Sequence, residues 1–61
     1  MSLGSIYKSI DEHKVCVFYS RNRNNVVARF SSKTEIPASY LGTRVDSMYH
    51  GMGDTIEFVV M

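Results

Sequence analysis

Apolar and polar positions alternate over short stretches of this chain, and no apolar stripe at helical spacing runs far. Val15-Cys16-Val17-Phe18-Tyr19 is β-branched and aromatic, and predicts a strand. Val26-Val27-Ala28-Arg29-Phe30 predicts a second. Between them lie Arg21-Asn22-Arg23-Asn24-Asn25, polar residues in which asparagine tolerates left-handed turn geometry. The expectation is a hairpin over residues 14–31. Thr55-Ile56-Glu57-Phe58-Val59-Val60 predicts a further strand, entered through the Gly51-Met52-Gly53-Asp54 turn. Ile6 to Ile10 reads as a weaker strand before an Asp11-Glu12-His13 turn.

Residues 31–50 admit two readings. Ile36, Tyr40, Leu41, Val45, Met48 and Tyr49 fit a helical stripe, and Pro37 suits a first helical position. Gly42 and Thr43 interrupt that stripe and β-branched residues follow. A short helical turn at about 36–41, then a loop or irregular strand, is favoured over a helix through 37–49.

Parity sorts the hairpin. Val15, Val17 and Tyr19 share one face, and Val26, Ala28 and Phe30 are set beside them as the core face. Cys16, Phe18, Val27 and Arg29 form the opposite, outward face. An aromatic beside an arginine there suits a stacking platform or a protein interface.

At 61 residues the chain is one small domain, residues 1–61, with a small core. Stability from a partner, a second copy or a regular sheet is expected. The lone Cys16 offers no intrachain disulfide, which with the absence of a signal sequence reads as intracellular or cytoplasmic. No apolar run approaches a membrane span.

The net charge of +1 conceals segregation. Residues 13–34 hold Lys14, Arg21, Arg23, Arg29 and Lys33 with no acid, whereas residues 35–61 hold Arg44 against Glu35, Asp46, Asp54 and Glu57. A segregated basic block is the footprint that phosphate backbones select, and it is also what a solvated hairpin tip looks like.

Four segments in order resemble a cold-shock domain, the small OB-fold module that binds single strands. Gly4-Ser5-Ile6-Tyr7-Lys8-Ser9-Ile10-Asp11 is similar to the family's opening strand. Lys14 and Phe18 match its ribonucleoprotein motif, and Val26, Phe30 and Ser31 match its third strand. Gly53-Asp54-Thr55-Ile56-Glu57-Phe58 resembles its fourth. Cys16 and Val27 stand where the family stacks phenylalanines, Lys8 stands near its tryptophan, and Arg29 replaces its histidine. No counterpart of a fifth strand is present up to Met61, so the barrel would be open, completed by another chain, or truncated in a fragment.

The resulting expectation is an all-β fold: a small antiparallel OB-like (alternatively SH3-like) partial barrel with a short helical turn between strands three and four. The resemblance implies single-stranded RNA or DNA on the outward face of the central hairpin, with Lys8, Lys14, Phe18, Arg21, Arg23, Arg29 and Phe30 as the binding residues. The alternative is a protein-interaction or self-association module using the same face or an open sheet edge, with Thr55–Met61 as one such edge.

Catalysis is not expected. Asp54 sits in a turn, Glu57 on the polar side of a strand, and Cys16 has only His13 nearby as a base. Cys16, His13 and His50 lack ligand spacing for a metal, and Gly51-Met52-Gly53 lacks the lysine of a phosphate loop, so no cofactor is expected.

Overall fold

A computed structural model describes residues 1–61. The predicted hairpin forms, with β1 (Val15–Tyr19) antiparallel to β2 (Val26–Phe30). The chain then crosses through two 3-10 turns, Lys33–Glu35 and Ala38–Gly42, and returns as a second hairpin, β3 (Val45–His50) and β4 (Thr55–Val60). The strand order is β2-β1-β4-β3. The two hairpins join through β1 and β4, which run parallel, with Val15 opposite Thr55 and Tyr19 opposite Val59.

The structure departs from these expectations at several points. The sheet is mixed: each hairpin is antiparallel, but their inner strands β1 and β4 run in the same direction. It does not close into a barrel. Ile6–Ile10 is no strand: Leu3–Ile6 is a single helical turn, α1, followed by a 3-10 turn at Tyr7–Ser9. Of the two readings of residues 31–50, the favoured short turn is the one found, and no helix runs through 37–49. The helical turn falls at Ala38–Gly42, and Val45–His50 pairs with β4 instead. Finally, Thr55–Val60 is an inner strand bonded on both sides, so the sheet edges are β2 and β3.

The core lies on one face of the sheet. Cys16 and Phe18 from β1 meet Ile56 and Phe58 from β4 and Val45 from β3, and Leu3, Ile10 and Ile36 close over them. Phe18 stacks on Phe58 at 4.7 Å and meets Phe30 and Tyr40 edge-on at 5.9 and 5.2 Å. No polar or charged residue is buried. Gly4 lets α1 approach the Ala38–Gly42 turn, since a Cβ there would lie 3.2 Å from the Leu41 carbonyl oxygen. The Tyr7 hydroxyl donates to the Lys33 carbonyl at 2.9 Å, and the Lys33 ammonium sits 4.9 Å from the Tyr7 ring centre. These contacts pin the helical segment to the crossover.

This inverts half of the predicted face assignment. Val15 and Val17 lie opposite the core cluster, whereas Ala28, Phe30, Ile56 and Phe58 face it as expected. The cause is an irregularity at the turn end of the hairpin. Tyr19 pairs with Val26 but Phe18 pairs with Ala28, so Val27 is an extra residue on β2. A one-residue bulge reverses the parity of everything beyond it. No helix is long and apolar enough to cross a membrane.

Candidate interaction surface

The second face of the sheet carries no helix or loop. Register and alternation place on it Val26, Val27 and Arg29 of β2, Val15, Val17 and Tyr19 of β1, Thr55, Glu57 and Val59 of β4, and Ser47 and Tyr49 of β3. Across its middle run Arg29, Val17, Glu57 and Tyr49, each strand contributing one residue.

One side chain reaches over this face from outside the strands. Ser20–Asn25 closes the first hairpin through its own polar groups. The Ser20 amide donates to the Asn25 carbonyl at 2.8 Å, the Asn24 amide to Asn22 Oδ1 at 3.1 Å, and the Asn25 amide to Ser20 Oγ at 3.2 Å. Arg23, at φ +62°, is the only non-glycine residue in the left-handed region, and its amide donates to the Ser20 carbonyl at 2.8 Å. Its guanidinium lies 5.3 Å from the Tyr19 ring centre and 5.1 Å from that of Tyr49, and donates to Glu57 Oε1 at 2.6 Å.

Gly51 makes room for that carboxylate, since a Cβ there would meet Glu57 Oε2 at 3.0 Å. Val17 and Val59 also belong to this face but are only 8% and 3% exposed, so its accessible surface is made by the other side chains.

The predicted binding residues separate in space. Phe18 is fully buried beneath the sheet and cannot stack on a base, a correction with the same bulge behind it. Phe30 is partly buried on that same core side. Lys8 belongs to the 3-10 turn after α1, within the layer that covers the core. Lys14 lies 3.9 Å from Asp54, and Arg23 is bound to Glu57. Arg21 in the turn and Arg29 on β2 are exposed, with no carboxylate within 4 Å.

The basic block of the sequence is therefore partly neutralised by acids from the segment around β4. Its fifth cation, Lys33, is turned toward Tyr7. Sequence reasoning missed Tyr19 and Tyr49 as surface aromatics. Tyr49 was legible only once β3 was known to be a strand, because alternation then sets it beside Glu57.

The two edges differ. At β3, Met1 exchanges hydrogen bonds with Val45: the Val45 amide donates to the Met1 carbonyl at 2.6 Å and the terminal ammonium to the Val45 carbonyl at 3.2 Å. The Leu3 amide donates to the Thr43 carbonyl at 2.8 Å, and Ser2 bridges Arg44. At β2 nothing covers the outer side, and Val26 and Val27 are 57% and 53% exposed.

The surface has no pocket, and no three His, Cys, Asp or Glu side chains come together as a metal site. Burial pushes the Cys16 thiol up from its ordinary 9.0, with the Lys33 ammonium pulling more weakly the other way. Comparison with protein-family models, curated proteins and solved structures finds no match.

Proposed function

We propose that this chain is a protein-interaction module that presents the open sheet face and its β2 edge to a partner protein. The observation that carries this reading is the composition of that face, on which Arg23 and Glu57 are paired and Arg29 alone has no acid partner. Arg23 and Glu57 neutralise each other in its centre, and around them stand the exposed Tyr49, Val26 and Val27 and the half-exposed Tyr19. Tyrosine, arginine and flat apolar surface are the residue types that concentrate binding energy at protein interfaces. A phosphate surface would instead leave its cations unpaired and its aromatics free to stack.

A second reading keeps single-stranded nucleic acid, in the spirit of the cold-shock resemblance but on the opposite face of the hairpin. Arg21 and Arg29 without acid partners, and a half-exposed Tyr49, favour it. Gel retardation of a labelled single strand at low salt separates the two. The interaction reading expects no retardation, and it expects a photo-crosslinking residue at Val27 or Tyr49 to capture protein while one at Lys8 does not. Retardation that weakens log-linearly with salt, or crosslinks that yield nucleic acid, would replace it with the second reading.

A further inference from the structure

We infer that the outer side of β2 receives an added strand from another protein. That strand is extended, with acidic side chains on the face it shares with Arg29 and apolar side chains on the face it shares with Phe30. The inference rests on the interaction-module reading and adds to it the position, backbone geometry and chemistry of the partner.

The two edges carry the first part of the argument. An exposed strand edge is a row of unpaired amides and carbonyls that templates further pairing, and proteins commonly cover it. Here the start of β3 is covered by the chain's own Met1–Leu3, whereas β2 is bonded to β1 alone. The bulge is confined to the Val26–Val27 end, so Ala28-Arg29-Phe30 keeps a regular outer edge.

Charge selects the partner. On the sheet, Arg29 has Val17 as its one cross-strand neighbour, and no carboxylate lies within 4 Å of it or of Arg21. Both flank the bare edge, so an incoming strand supplies the missing acids. On the core side, Phe30 is partly buried and meets Tyr40 edge-on at 5.6 Å, so an apolar residue beside it extends the existing cluster.

A second copy of this chain fits less well. Antiparallel self-pairing centred on Ala28 would set the two Arg29 side chains diagonally, about 7–8 Å apart, with no acid between them. A nucleic acid would satisfy the arginines and leave the edge amides without a ladder.

The test is a titration of the isotope-labelled full chain, followed amide by amide. The probes are a short peptide alternating valine with aspartate, the same peptide with lysine for aspartate, and a single-stranded oligonucleotide. The acidic peptide is expected to shift the Val26–Phe30 amides and slow their hydrogen exchange. It should bind about tenfold more tightly than the lysine peptide. Arg29→Glu, at an exposed position, should reverse that order.

Equal binding of the two peptides, or no change at β2, overturns the inference. So does pairing of β2 with itself without peptide. Shifts confined to Tyr19, Tyr49 and Val59 overturn the edge site while keeping the interaction-module reading. Oligonucleotide binding with no response to either peptide overturns both.

Discussion

The Arg23 guanidinium lies between the rings of Tyr19 and Tyr49 and donates to Glu57 at 2.6 Å, tying the tip of the first hairpin to β4 and β3. Each contact is modest alone. Exposed ion pairs contribute about 0–1 kcal/mol, and cation–π contacts at exposed sites about 0.5–1 kcal/mol each. Arg23→Ala is expected to destabilise the fold by about 1–2 kcal/mol by denaturant unfolding. Arg23→Lys should recover only part of that, because an ammonium cannot stack flat between two rings. A cycle of Arg23→Ala with Glu57→Gln should give a coupling of about 0.5–1 kcal/mol, and a coupling of zero would reduce the clamp to coincidence.

Phe18 touches three aromatic rings and is fully buried. Truncating a buried Phe to Ala costs about 3–5 kcal/mol, which rivals the whole stability of a chain this small. Phe18→Ala should therefore lose its dispersed amide spectrum, while Phe18→Leu keeps it. A folded Phe18→Ala protein would contradict the packing described here.

Cys16 links stability to pH. Its thiol is held above 9.0 in the folded chain, mainly by burial. The unfolded chain ionises first as pH rises, so between the unfolded and folded values it binds fewer protons than the native state, and stability falls. The Cys16 contribution is thus flat below about pH 9 and declines above it, by at most about 1.4 kcal/mol per pH unit. The difference between wild type and Cys16→Ala in urea midpoint, followed from pH 7 to 10.5, should narrow over the alkaline half. A constant difference would show that the thiol ionises alike in the folded and unfolded chains.

Gly53 and Gly42 both face open space, yet they differ in backbone. Gly53 has φ +65°, a region that L side chains occupy at a cost of about 1 kcal/mol, whereas Gly42 lies outside it. Gly53→Ala should destabilise by about 1 kcal/mol and Gly42→Ala should be neutral or stabilising by a few tenths. Thermal midpoints of the two variants check this, and equal effects would refute it.

Strands β1, β2 and β4 were legible as β-branched and aromatic runs, and the helical turn near Ala38–Gly42 from the competition between stripe and glycine. Face assignment was not. Tyr19 and Val26 do share a face, as alternation says, but Val27 adds one residue to β2 and turns Ala28 and Phe30 to the other side. Nothing in Val26-Val27-Ala28 marks that extra residue, because two valines in a row suit a bulge and a regular strand equally. Phe18 was misplaced through the same step. The pairing of Arg23 with Glu57 was hidden for a different reason: it depends on β1 and β4 lying side by side, a contact between strands far apart in the sequence. Lys14 and Asp54 come together by the same route.

The parallel junction of the two hairpins also sets the order in which the molecule can assemble. Each hairpin closes locally, but Phe18 reaches Phe58 only when Val15–Tyr19 and Thr55–Val59 align across the intervening chain. That loop must close before the aromatic stack returns any energy, and such distant pairing is slow compared with turn formation. Until that alignment the first hairpin lacks the Phe58 stack and both of its strand edges are bare; β4 covers the β1 edge and leaves the β2 edge free. Strand exchange at the β1 edge is therefore open only until β4 pairs with it.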